Sequence, residues 1–222
     1  MPRAKVKYQH RYMDDKVTDT ISDSEFRQFM SKAKEYEEWR RKKYGKHPRF
    51  KDFNVCALLA FLYYTGLRIA EIVGDTPRRY MTKKEGEQVS EFVKGVLKQD
   101  VRIKDGYIRI ESEPLKHGER DSPLWIRLDR YGADEIEKVW KNTERDERLF
   151  QICKKTAWLF IRDVTVRLYP HFFRLNRATR FAEHEGVTIM KIKQWFGWVD
   201  PKTLQTYLGK GGRETKEMAD WE

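Results

Sequence analysis

The sequence predicts an α+β fold, a mainly helical domain carrying a small three-stranded antiparallel sheet. Apolar residues recur at helical spacing through most of the chain, on both sides of a short middle section. That middle section, 101–128, instead holds three short runs that alternate apolar and polar residues between turn signals. The chain has 222 residues and 39% hydrophobic content, enough to fill a real core and to argue against full disorder. It contains no internal repeat and no low-complexity segment.

Taken in order, Thr18 to Ser24 offers several helix caps. Glu25 to Tyr44 then spaces Phe26, Phe29, Met30, Ala33, Tyr36 and Trp39 along one face of a long amphipathic helix. Arg40, Arg41, Lys42 and Lys43 close it, where cations favour the negative helix end, and Gly45 to Pro48 breaks the chain. Val55 to Leu62 is apolar nearly all round, as in a helix at the centre of a bundle. Gly66 permits a tight turn after it, and Arg68 opens a new short helix. Gly74 to Lys98 is a charged connection with a weak helical pattern. Val101 to Ile103 and Tyr107 to Ile110 flank the turn Lys104-Asp105-Gly106, and Leu124 to Leu128 alternates again, which makes the sheet. Ala133–Trp140, Thr156–Leu168, Phe172–Glu185, Thr188–Phe196 and Lys202–Leu208 read as further helices. The expected organisation is a basic arm over 1–20, a catalytic domain over 21–208 and a tail over 209–222.

Charge narrows the function classes. The chain carries 46 Lys+Arg against 35 Asp+Glu, a net charge of +11. Residues 1–50 hold 14 basic and 8 acidic residues, and 171–213 hold 8 and 3, whereas the final nine residues carry four acids and one lysine. Such basic surpluses suit a polyanion, since each phosphate contact releases counterions; a merely solubilising surface rich in Lys and Glu fits the total equally well. No apolar run approaches the roughly 20 residues of a membrane span, and the first twenty residues lack the apolar stretch of a secretory signal. The two cysteines, Cys56 and Cys153, stand in no CxxC or Cys/His spacing, so no metal site and no disulfide framework are expected. A cytoplasmic, nucleoid-associated location follows as the expectation.

Four places draw together as candidate chemistry. They are Arg68 in Thr65-Gly66-Leu67-Arg68-Ile69-Ala70-Glu71, Lys116 in the turn Leu115-Lys116-His117-Gly118-Glu119-Arg120, the pair His171 and Arg174, and Trp198 with Tyr207 nine residues on. Guanidinium groups stabilise charge that develops on non-bridging phosphate oxygens, so Arg68 and Arg174 form a candidate clamp. Positions i and i+3 of a helix share a face, which lets His171 and Arg174 address one phosphate. A tyrosine nucleophile such as Tyr207 would store the energy of the broken bond in a covalent phosphotyrosine.

In order and spacing these motifs resemble the tyrosine recombinase (phage integrase) family, with its TGLRxxE segment, strand-turn lysine, HxxR pair and terminal tyrosine. The resemblance covers roughly Asp52 to Leu208. It implies a DNA strand-cleaving and rejoining enzyme that needs neither metal nor ATP nor any other cofactor, acting on double-stranded DNA as a homo-oligomer, a tetramer on its site. By the same resemblance Tyr207 forms a 3′-phosphotyrosyl link and Lys116 protonates the departing 5′ oxygen. His171 serves in proton transfer or hydrogen bonding, and Glu71 orients the arginines. Trp198 stands where most members have histidine; an indole donates a hydrogen bond and accepts no proton, so it positions without acting as a base. DNA-backbone contacts are expected from Arg40, Arg41, Lys42, Lys43, Arg177, Lys191 and Lys193.

The sequence departs from the family where HTFAT commonly follows HxxR, for here stands Leu175-Asn176-Arg177-Ala178-Thr179. About fifty residues precede the core helix, against a separate helical domain in many relatives. Glycines 209, 211 and 212 followed by an acidic segment with Met218 and Trp221 look like a tail that docks on a neighbouring subunit. A type IB topoisomerase-like relaxer shares the chemistry, and a DNA-binding protein that kept the fold without activity is the reading from another class.

Overall fold

The structure is a computed structural model, and it describes residues 20–46, 53–74, 94–112, 120, 122–165, 168–184 and 186–198. Helix α1 spans Asp23–Tyr44 and starts where local chemistry dictates. The Ser22 hydroxyl accepts from the Glu25 N–H while the Glu25 carboxylate accepts from the Ser22 N–H, a reciprocal capping box. Asp23 and Glu25 in the first turn and Arg41, Lys42 and Lys43 in the last match the helix dipole. Phe26, Met30 and Ala33, at i, i+4 and i+7, form the buried stripe.

Helix α2, Val55–Thr65, is buried at every position, as its continuous apolar run predicts. Asn54 caps it, accepting from Ala57 N–H at 2.6 Å. It packs against α1 and against two later helices, α4 (Ala133–Lys141) and α6 (Pro170–Ala182), and so forms the axis of the molecule. Gly66 ends α2 in the left-handed region at φ 63°, and the short helix α3, Ile69–Val73, begins after Arg68.

The sheet has the order β1-β2-β3, with β1 Val101–Lys104, β2 Tyr107–Ile110 and β3 Leu124–Arg127, all antiparallel. Val101 pairs with Ile110, and Ile110 with Leu124, so Val101, Ile108, Ile110, Leu124 and Ile126 share the buried face. A 3-10 turn, Lys98–Asp100, leads into β1, and Val96 N–H donates to Ile72 O, joining that approach to the end of α3. Helix α5, Lys154–Thr165, packs on α1 and α3. Helix α7, Ile189–Phe196, packs on α6 and carries the Thr188 cap. Pro170 begins α6 two residues before the expected start, as suits a residue with fixed φ and no N–H at a first helical position. The expected helix at Lys202–Leu208 lies outside the described residues.

One apolar cluster runs from Ile21 through α2 and the sheet to Phe173. A smaller one, Ala178, Ile192, Phe196 and Trp198, seals α6 against α7. Arg174, Asn176 and Glu71 are buried among these apolar groups.

Candidate active site

Gly66 is where the site begins. With φ at 63°, a Cβ there would stand 2.9 Å from both the Arg177 Cβ and the Phe196 ring, so only glycine lets the α2–α3 corner close against α6 and α7. The corner delivers Arg68 beside Glu71, whose carboxylate accepts from the Arg68 backbone N–H at 2.8 Å and from its guanidinium at 3.0 Å. Glu71 thus caps α3 and holds the arginine with one buried group. The Oε2 that accepts from the Arg68 backbone also lies 3.7 Å from the Arg174 guanidinium, and the Glu71 and Arg174 side chains are fully buried.

Arg174 comes from α6. Its Nη1 donates to Gly66 O and its Nη2 to Phe196 O, each at 3.2 Å, so one guanidinium ties α2, α6 and α7 together. The group stands 4.6 Å from the Phe196 ring centroid and 5.4 Å from that of Trp198, and these two rings stack at 4.7 Å. Trp195 adds a further tie, donating its indole N–H to Thr65 O at 2.8 Å.

His171 lies three residues before Arg174 at the start of α6, with its side chain exposed. Although solvent reaches it, desolvation by the surrounding groups, then repulsion from Arg174 and Arg68, lowers its pKa below the ordinary histidine value. At neutral pH the imidazole is therefore neutral and able to accept a proton.

Arg68, Glu71, His171, Arg174 and Trp198 thus converge from three separate stretches of chain. Lys116 and Tyr207 lie outside the described residues, as does the tail. Arg120, which no motif singles out, also reaches this neighbourhood, where Glu71, Arg174 and Arg68 act on it electrostatically. A cleft of about 450 Å³ lined by residues such as Glu37, Phe53, Lys138 and Phe150 shares no residue with the cluster. Among the described residues no three His, Cys, Asp or Glu side chains group to hold a metal ion, and no helix is long and apolar enough to cross a membrane.

No protein-family model matches the sequence, and no curated protein matches it. The structure, however, is similar to the crystal structure of XerA recombinase, with a TM-score of 0.56 and 16% identity over 91% of this chain. The fold is that of a tyrosine recombinase catalytic domain. The chain matches 64% of the length of that recombinase, and at this identity the likeness concerns the fold.

Within this recombinase fold the expected DNA contacts fall in different settings. Arg41, Lys42 and Lys43 are exposed at the end of α1, while Arg40 places its guanidinium 4.3 Å from the Phe160 ring centroid. Lys191 is exposed and Lys193 half-buried on α7. Arg177 lies with its guanidinium 4.2 Å from the Phe181 ring and 5.4 Å from that of Trp195, where desolvation lowers its pKa to about 10.

Proposed function

We propose that the chain cleaves and rejoins double-stranded DNA through a 3′-phosphotyrosine intermediate on Tyr207, as a site-specific recombinase. The observation that carries this reading is the convergence of Arg68, Arg174, His171 and Trp198 about the buried Glu71. Two guanidinium groups held by one carboxylate and by backbone carbonyls are preorganised for an anion, and preorganised donors are what a phosphoryl transition state requires. Glu71 fixes the clamp without reacting, because both its oxygens are committed to the arginines and to the α3 cap.

In the reaction the Tyr207 oxygen attacks phosphorus and the bond from phosphorus to the 5′ oxygen breaks. The leaving oxygen keeps the bonding pair and takes a proton from Lys116, while the phenolic proton passes to a base, for which the neutral His171 is suited. The Trp198 indole donates a hydrogen bond to the phosphate. Rejoining reverses these steps with the new strand's 5′ hydroxyl.

The test is to incubate the full chain with nicked suicide duplexes of varied sequence and look for a denaturant-resistant protein–DNA adduct, with Tyr207→Phe as control. An adduct that disappears in Tyr207→Phe is expected. No adduct on any duplex, or one that persists in the variant, overturns the mechanism; retained binding without an adduct leaves a DNA-binding protein on a recombinase fold.

A further inference from the structure

We propose that Arg120 is a third guanidinium of the phosphate-binding cluster, an inference that rests on the phosphodiester chemistry proposed above. Its Nε donates to Trp195 O at 2.9 Å, and its Nη1 donates to Ser112 O at 2.7 Å and to the Ser112 hydroxyl. Arg174 meanwhile holds Phe196 O. Arg120 and Arg174 therefore bind consecutive carbonyls at the C-terminal end of α7, and the two guanidinium groups are fastened to the same short piece of backbone, just before Trp198.

Two of the three Arg120 nitrogens are thus used. The third, Nη2, is buried and has no hydrogen-bond partner among the described residues. A buried donor left unbonded is costly, and for a cationic group the cost is larger. Among the described residues the neighbourhood supplies no spare carboxylate: of the groups acting on Arg120, Glu71 is the acid, and it is already engaged by Arg68 and approached by Arg174. Three guanidinium groups against one carboxylate among the described residues leave a surplus of positive charge that an anion offsets. Desolvation brings the Arg120 pKa down to about 10, with Glu71 opposing the shift and repulsion from Arg174 and Arg68 adding to it. A staple between Ser112 and Trp195 needs only Nε and Nη1; it does not account for a charged third nitrogen beside two other arginines.

The experiment compares wild type, Arg120→Gln and Arg120→Lys on nicked suicide duplexes carrying either a phosphodiester or a neutral methylphosphonate at the scissile position. With the phosphodiester, Arg120→Gln is expected to slow adduct formation by about 10²–10³, the usual loss for one transition-state donor. With the methylphosphonate, which lacks one anionic oxygen, the deficit should shrink at least about tenfold, since less charge needs stabilising. Equal losses on both substrates overturn the proposal and leave Arg120 a staple. Should Arg120→Gln lack a cooperative melt, Arg120→Lys decides: one ammonium cannot serve Ser112, Trp195 and an anion together, so it too should lose more on the phosphodiester, and equal losses again overturn the role. A second readout does not depend on cleavage. The slope of log affinity against log salt for uncut duplex should fall by about 0.9 in Arg120→Gln, one phosphate contact. If wild type forms no adduct, a reduced slope keeps Arg120 as a phosphate ligand while the cleavage reading fails, and an unchanged slope rejects both.

Discussion

His171 shows how desolvation, and after it two neighbouring cations, set a residue's chemistry. Its lowered pKa keeps the imidazole neutral to more acidic pH than usual. If it accepts the Tyr207 proton, the acid limb of adduct formation should have its midpoint below about pH 6.5, the unperturbed value. Arg68→Gln removes one of the repelling charges, so the limb should move back upward; a limb at or above about pH 6.5 in wild type sinks the assignment. The same shift has a stability consequence. The folded chain binds fewer protons at His171 than the unfolded one, so this contribution is full above about pH 6.5 and is lost as pH falls toward the folded value. Arg174 is the costlier residue to change, because its guanidinium holds Gly66 O and Phe196 O and faces Glu71. Arg174→Lys keeps the charge but not the fork, and adduct formation should drop by about 10²–10³. The candidate site residues were legible in sequence because Arg, His, Trp and Glu stood in motifs. Arg120 was not, because a lone arginine in a strand connection looks like any solvated cation until its nitrogens are traced to Ser112 and Trp195.

Among the elements, the α2–α3 corner and the attachment of α1 to α6 bear most directly on the site. Gly66→Ala puts a Cβ into the Arg177 stem and the Phe196 ring at a positive φ. It should destabilise the chain by about 2 kcal/mol or more and weaken adduct formation with it, read by thermal melts and adduct yield together. Within α2 the effect of burial can be tested alone. Leu59 is fully buried in the main apolar cluster, so Leu59→Ala should cost about 2–5 kcal/mol in a denaturant titration. Asp23 at the start of α1 accepts from the Tyr63 hydroxyl at 2.8 Å and from Arg180 of α6 at 3.0 Å, while Arg180 also bonds the Tyr63 hydroxyl. The Tyr63 bond is the first cause of the lowered Asp23 pKa. That contribution is present above the ordinary carboxylate value and is lost as pH falls through the folded one. Helix existence was readable from periodicity and caps, and the ends moved by two or three residues where Pro170 or a cap outweighed the apolar pattern. The tether from Asp23 to Arg180 was invisible, because its partners are 157 residues apart.

Over the whole molecule, the basic surplus should appear as a steep salt dependence of DNA binding, with non-specific affinity falling as counterion release predicts. Exposed Arg41, Lys42 and Lys43 at the end of α1 are the natural test positions. Replacing all three with glutamine should flatten the slope by about 0.9 for every phosphate no longer neutralised, without changing the pH limb set at His171. We propose that residues 214–222, acidic and containing Met218 and Trp221, dock on a neighbouring subunit in a tetramer on DNA; deleting them should reduce assembly in a gel-shift series, and unchanged assembly would reject the idea. The sequence by itself determined the described helices and sheet, and it named the candidate arginine, histidine and tryptophan donors and the polyanionic partner to test, because periodicity, capping and charge are local properties. Only the tertiary structure decided that Glu71 is shared between Arg68 and Arg174, that Arg177 lies over Phe181 and Trp195, and that Arg120 joins the cluster. Those facts depend on side chains from distant stretches meeting in a dry interior, where every buried charge must find its partner in space rather than in sequence.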